Sequence, residues 1–188
     1  MHWFDRAVIL SIFIFSFTSL AWSDMPEIIA DQTKEAEVLS SPTVVLDSKT
    51  QQANRLESQA IESIDADQME EGLRLMQQAI EIDPSAVRHM NYGSILFGNG
   101  VVDFKNGKKH EAVRLFKQAE DQLSQAIAGF DPQANAAFVA QAYFLLGEIY
   151  LNAYNDQDMA HDFYYKSLEY YDNTSARDAI EQLRLVHK

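Results

Sequence analysis

The stretch "YFLLGEIY" at residues 143–150 is the feature that most constrains how this chain folds. Its apolar and aromatic residues are typical of a buried helix, yet the run contains a glycine, Gly147. An amphipathic helix requires only apolar residues at about every third or fourth position, and glycine costs a helix about 1 kcal/mol relative to alanine. The run therefore raises the question of why a glycine stands at position 147.

Helical periodicity extends from Lys49 onward, and little in this region favours strands. The segment "LRLMQQAIEIDP" places its apolar residues on one face and ends at Pro84, where helices commonly stop. The segment "EAVRLFKQAEDQLSQAIAGFDP" has the same pattern and ends at Gly129 and Pro132. Two helices that end on "DP" indicate a repeated unit.

These features resemble the tetratricopeptide repeat, a helical hairpin of about 34 residues with the pattern W-x2-L-G-x2-Y, then A-x3-F, then P. The third repeat matches this pattern at Tyr143, Leu146, Gly147, Tyr150, Ala160 and Tyr164. The first repeat has Ala60, Gly72, Met76 and Pro84 at the glycine, alanine, phenylalanine and proline positions. The second has Gly93, Ala112, Phe116 and Pro132. The resemblance implies an all-α solenoid of about three hairpins. It also implies that Gly147 lets the two helices of its hairpin approach closely, which justifies the helix-propensity cost of the glycine.

The second hairpin is expected to be longer than the first. The interval from Gly93 to Ala112 is 19 residues, whereas Ala60 to Gly72 is 12, an excess of seven. Between Phe116 and the following proline the excess over the first repeat is eight residues. Seven or eight residues make about two helical turns, so both helices are predicted to be lengthened together. The alternative, that "GNG" at residues 98–100 ends the first helix early, stays open.

The two ends of the chain differ from the repeats. A 16-residue apolar run without charge spans residues 7–22, and Ala21 and Ser23 form a small-x-small pair before Asp24. This is the pattern of a secretory signal peptide at residues 1–23. A retained membrane anchor is the alternative, although a span needs about 20 residues. We expect an acidic, largely disordered linker at 24–48 and a tetratricopeptide-like domain at 49–188, which ends in an amphipathic capping helix. Its inward residues are expected to be Ala176, Ile180, Leu183 and either Leu185 or Val186.

Composition and motif searches exclude several functional classes. The net charge of −13 disfavours nucleic acid and anionic membrane surfaces as partners. The absence of cysteine excludes disulfides and thiolate metal sites. The five histidines are scattered and form no catalytic or zinc motif. The sequence therefore predicts no enzyme, no catalytic residue, no metal site and no cofactor. The protein is expected to be periplasmic or secreted, with no stable membrane insertion after signal cleavage.

The resemblance implies that a peptide or protein partner binds in a concave groove lined by the first helix of each hairpin. The implied groove residues are Asn54, Glu57, Asp65, Asn91, Ser94, Phe97, Gln141, Phe144, Glu148 and Asn152. Chaperone-binding members of the family hold a carboxylate tail with a clamp of basic residues and asparagine. Only Asn91 matches that clamp, basic residues are missing from the implied groove, and carboxylate tails are therefore not expected here.

Tyrosines that the repeat pattern does not require form a possible second surface. Seven of the eight tyrosines lie in residues 143–171. The surplus ones either bind a partner or fill space under the capping helix, and they are Tyr154, Tyr165, Tyr170 and Tyr171. A small-ligand-binding accessory protein, for example of a transport system, is the alternative function, with an apolar pocket between the second and third hairpins.

Overall fold

Seven α-helices follow one another in residues 48–186, the part of the chain that the computed structural model describes. They are α1 (Ser48–Asp65), α2 (Met69–Ile82), α3 (Ala86–Lys105), α4 (Lys109–Gly129), α5 (Ala136–Asn152), α6 (Gln157–Tyr170) and α7 (Thr174–Val186). No strand occurs among these residues. None of the helices is long and apolar enough to cross a membrane. The predicted signal peptide and all but the last residue of the predicted linker lie outside the described residues.

Consecutive helices pair into three hairpins, α1 with α2, α3 with α4 and α5 with α6, and α7 packs on α6. Each hairpin turn contains one residue with a positive φ: Asp67 at 61°, Gly107 at 79° and Asn155 at 52°. Glycine, asparagine and aspartate are the residues that adopt this left-handed conformation most readily. The same turn therefore recurs three times, which confirms the predicted all-α arrangement of three hairpins and a C-terminal helix.

The two helices of a hairpin approach each other at glycines. A Cβ atom at Gly147 would lie 2.5 Å from Cε1 of Tyr164, and one at Gly100 would lie 2.8 Å from Cε1 of Phe116. The counterpart of Gly147 in the second repeat is therefore Gly100, because both face the aromatic residue of A-x3-F. Gly93 also packs closely, but against Leu123, two turns farther along α4. The assignment of Gly93 to the glycine position was wrong.

The second hairpin is longer mainly in its second helix. α4 has 21 residues, whereas α2 and α6 have 14 each. α3 has 20 residues, only two more than α1 and three more than α5. The prediction that both helices are lengthened by two turns is corrected, because its interval was measured from Gly93 rather than Gly100. α3 is continuous through residues 98–100, so "GNG" does not end the helix.

The main core lies between the hairpins. Fully buried side chains from the second and third hairpins dominate it, among them Leu96, Phe116, Leu123, Leu145 and Ile149. A smaller cluster joins Tyr164 to α7 through the buried residues Ala176, Ile180 and Leu183. These three face inward as expected, whereas Leu185 is 62% exposed.

Candidate functional site

The first helices of the hairpins lie side by side, as the predicted groove requires. α3 contacts α5 directly, and hydrogen bonds join it to α1. The α1 residues in these bonds, Asn54 and Glu57, are three positions apart and so lie on one face of the helix. The α3 residues, Arg88 and Asn91, have the same spacing. The structure thus brings together four polar residues between the first two hairpins.

Arg88 is the centre of this polar cluster and is only 5% exposed. Its Nη1 atom donates to Oδ2 of Asp83 at 2.7 Å and to Oγ of Ser85 at 3.2 Å. Its Nη2 atom donates to Oδ1 of Asn54, and its Nε atom lies 3.5 Å from Oε2 of Glu57. Arg88 is a basic residue on a first helix that the sequence prediction did not include, and its burial keeps it from lining the groove surface. Arg88 is outnumbered by two carboxylates, so the cluster has a formal charge of −1.

Asn91 is held in place while part of its amide stays accessible. Its Nδ2 atom donates to Oε1 of Glu57 at 2.6 Å, and its side chain is exposed. A primary amide has two N–H donors and a carbonyl acceptor, so this single bond leaves one donor and the acceptor available. A carboxylate has about four acceptor sites, and Glu57 therefore also retains capacity. The pair can form further hydrogen bonds to a polypeptide laid across α1 and α3.

The third hairpin contributes a separate polar pair, Glu148 and Asn152 on α5. Oε1 of Glu148 accepts a hydrogen bond from the hydroxyl of Tyr164 at 2.7 Å, and Asn152 Nδ2 donates to the Glu148 backbone carbonyl at 2.8 Å. Burial, followed by the Glu148 carboxylate, raises the pKa of Tyr164. Within residues 48–186 no hydrogen bond joins this pair to the Arg88 cluster. Five of the ten predicted groove residues therefore form two separate groups.

The remaining predicted groove residues take different positions. Ser94 donates to the backbone carbonyl of Met90 in its own helix at 2.9 Å, Gln141 is half-buried, and Asp65 is exposed at the end of α1. Phe144 is half-buried, with its ring 5.8 Å from that of Tyr164.

Phe97 is a core residue rather than a groove residue, contrary to the prediction. It is 3% exposed, and its ring lies 5.8 Å from that of Phe116 on α4. The physical reason is the position of Phe97 in α3. It lies four residues after Gly93 and three residues before Gly100. These residues share the face of α3 that packs against α4. Phe97 is therefore unavailable to a partner.

The four surplus tyrosines have different neighbours. Tyr154 donates to Oε2 of Glu120 on α4 at 2.7 Å, and burial, followed by this hydrogen bond, raises its pKa. Tyr165 accepts from Arg184 of α7 at 2.7 Å, whereas the ring of Tyr170 stacks 5.6 Å from that of Tyr143. Tyr171 is 47% exposed. Only Tyr165 contacts the capping helix through a described hydrogen bond.

An open cavity of about 390 Å³ lies between α6 and α7. Its lining is part apolar and part charged: Tyr165, Leu168, Arg177, Ile180, Glu181, Arg184 and Leu185. This is not the pocket between the second and third hairpins that the small-ligand alternative requires. Among the described residues, no group of three or more acidic or histidine side chains could hold a metal ion.

Comparison with solved structures identifies the same fold. The N-terminal domain of stress-induced protein-1 (STI-1) from C. elegans superposes with a TM-score of 0.51 at 18% sequence identity, over 73% of this chain and 98% of that domain. No protein-family model matches the chain, and no significant relative was found among curated proteins. The fold is therefore an all-α, tetratricopeptide-like solenoid of three helical hairpins with a C-terminal capping helix.

Proposed function

We propose that the protein is an exported interaction module that binds a peptide segment with basic residues along the groove of α1, α3 and α5. The observation that carries the proposal is the bond from Asn91 to Glu57, which fixes an exposed amide and a carboxylate between two adjacent first helices. A fixed asparagine can pair with the backbone of an extended peptide without losing further side-chain entropy. The fold of α-helical hairpins supports a binding role rather than a catalytic one.

Charge favours a basic partner over an acidic one. The Arg88 cluster has a formal charge of −1, and Glu148 adds a second negative group on α5. The chain as a whole has a net charge of −13, so its field attracts cationic segments and increases their rate of association. Carboxylate tails are disfavoured because Arg88 is buried and already paired with two acidic residues.

The proposal is tested by recovering the partner and then altering Asn91. The mature chain, residues 24–188, is cross-linked in native extract, and the captured protein is identified and measured for affinity. Asn91→Ala should lower that affinity by about tenfold, because a fixed hydrogen-bonding amide is lost. The matched control is Gln125→Ala, which removes an exposed amide from α4. Equal affinities of wild type and Asn91→Ala would reject the groove.

A thermal-shift screen separates this proposal from the small-ligand alternative. A metabolite that raises the unfolding midpoint of the mature chain, by binding the folded state alone, would favour a transport-type accessory protein. Export is part of the same proposal and rests on the apolar run and small residues of the first 23 positions.

A further inference from the structure

The first turns of α4 lack the cover that α2 receives from the following hairpin. In α2, Sδ of Met69 accepts a hydrogen bond from Nδ2 of Asn99 on α3 at 2.9 Å, and Leu73 packs against the core. The residues at the same repeat positions in α4 are Lys109 and Val113. Lys109 is exposed, and Val113 is 41% exposed. An apolar position that is packed in one repeat is therefore open in the next.

The extra length of α4 explains this difference. Tyr150, near the end of α5, and Tyr154, just beyond it, donate to the two carboxylate oxygens of Glu120 at 2.8 and 2.7 Å. Glu120 is the twelfth residue of α4, so α5 ends beside the middle of that helix. At the opposite end, Phe138 of α5 stacks on Phe130, directly after α4, with 5.5 Å between ring centroids. Residues 109–117 consequently extend beyond the third hairpin.

The uncovered segment, residues 109–117, and the four residues before it form the basic part of an acidic chain. Residues 105–117 contain five lysines and arginines and one acidic residue, which gives a formal charge of +4 in a chain of net charge −13. Lys108 pairs with Asp103 at 3.3 Å. The other four form no ion pair within residues 48–186, and they are Lys105, Lys109, Arg114 and Lys117. Their charges therefore remain available to an anionic group.

Five exposed residues in the first turns of α4 lie along one face of the helix. Lys109, Val113 and Lys117 follow each other at intervals of four, and His110 and Arg114 form a parallel row. The apolar Val113 thus lies between two lysines. We call the exposed face formed by these five residues the α4 step.

We propose that the α4 step is a second docking site, separate from the groove, and that it binds an acidic amphipathic helix of a partner protein. The nine residues 109–117 offer about 13 Å of helix at 1.5 Å per residue, which suits two to three turns of a partner helix. The partner helix would carry an apolar side chain with a glutamate four positions before it and another four positions after it. When the apolar side chain packs on Val113, the two glutamate carboxylates lie near Lys109 and Lys117. The acidic remainder of the chain repels such a segment, so its binding is confined to the step.

The test uses a synthetic fluorescein-labelled helical peptide with leucine and glutamate at these intervals. Fluorescence anisotropy measures the affinity of the peptide for the mature chain. Lys109→Glu with Lys117→Glu should lower affinity at least about tenfold and reduce its dependence on salt, because both effects arise from the exposed charges. Val113→Ser should lower affinity and leave the salt dependence unchanged. The matched control is Arg55→Glu with Arg177→Glu, which alters total charge equally at exposed positions on α1 and α7. That pair should retain affinity within about threefold, since only the long-range field changes.

Four results would overturn the proposal. The first is an equal loss from both charge-reversal pairs, and the second is equal binding of a peptide with glutamine in place of glutamate. The third is tighter binding of the mature chain to phosphatidylglycerol vesicles than to the peptide, with the same dependence on Lys109 and Lys117. That result would indicate a membrane surface as the occupant. The fourth is concentration-dependent dimerisation that the Lys109 and Lys117 changes abolish, which would indicate a second copy as the occupant. Circular dichroism of each variant verifies that the helices are intact.

Discussion

A Cβ atom at Gly147 would lie 2.5 Å from Cε1 of Tyr164, closer than real Cβ atoms approach their neighbours. Tyr164 cannot move aside at low cost, because its ring is fully buried and its hydroxyl is bonded to Glu148. The glycine therefore sets the distance between α5 and α6. This contact confirms the close helix approach that the sequence predicts at Gly147.

Gly147→Ala should lower the free energy of unfolding by about 1 to 3 kcal/mol through overpacking against Tyr164, even though alanine is the better helix former. Gly98→Ala is the matched control, because no atom lies within 4 Å of a Cβ at that helical position. It should stabilise the protein by about 1 kcal/mol. Chemical denaturation measures both values, and a stabilised Gly147→Ala variant would contradict the packing.

Arg88→Leu should destabilise the protein by about 2 to 4 kcal/mol, because it leaves Glu57 and Asp83 without their cation in a largely buried place. The control, Arg74→Leu, removes an exposed arginine whose partner Glu71 is also exposed, and should change stability little. Denaturation of both variants at pH 7 makes the comparison. Similar losses in the two would show that the buried cluster does not join the first two hairpins.

Tyr164 should make folding sensitive to alkaline pH. Burial, and then Glu148, raises its pKa above the value of about 10 in an unfolded chain. The folded state therefore holds the phenolic proton more tightly, and stability present below pH 10 is lost as the pH rises further. Tyr164→Phe should cost about 1 kcal/mol at pH 7 through the lost hydrogen bond, and it should lose less stability between pH 9 and 11.5. Chemical denaturation of the wild type and of Tyr164→Phe across this pH range measures the loss. An equal decrease in the free energy of unfolding with pH in the two proteins would contradict the prediction.

Sequence pattern predicted the fold well where the repeat motif is complete. In the third hairpin, Gly147 and the two residues of A-x3-F are all present. In the second, Asn99 and Asp103 occupy the leucine and tyrosine positions around Gly100, so "NYGSIL" around Gly93 resembles the pattern more closely. The local pattern therefore placed the repeat two turns too early.

The site was less predictable, because its bonds depend on how hairpins pack. Arg88 lies three residues before Asn91. This spacing puts the two residues on one face of a helix, so the sequence alone could have indicated that Arg88 lies near the predicted groove residue. The pairing of Arg88 with Asp83 and Glu57, however, joins residues from α3, the connection between α2 and α3, and α1. The exposure of Val113 likewise depends on where α5 ends along α4, which no local pattern contains.

If residues 1–23 are a cleaved signal peptide, the mature chain begins at or near Asp24 and is found outside the cytoplasm. The apolar run of 16 residues is shorter than the roughly 20 residues that span a bilayer, and small residues precede the expected cleavage point. N-terminal sequencing of the protein purified from its source measures the start directly. An intact Met1 on a membrane-bound form would indicate a retained anchor instead.

The most direct measurement of the central claim compares partner affinity for two doubly neutralised variants. Glu57→Gln with Glu148→Gln removes two groove charges, whereas Asp121→Asn with Glu169→Gln removes two exposed charges from α4 and α6. Glu120 is unsuitable as a control because it accepts hydrogen bonds from Tyr150 and Tyr154. With the cross-linked partner as ligand, the groove pair should lower affinity about tenfold, while the control pair changes mainly the association rate and its salt dependence. Equal losses in the two variants, or no loss from the groove pair, would contradict binding in the groove.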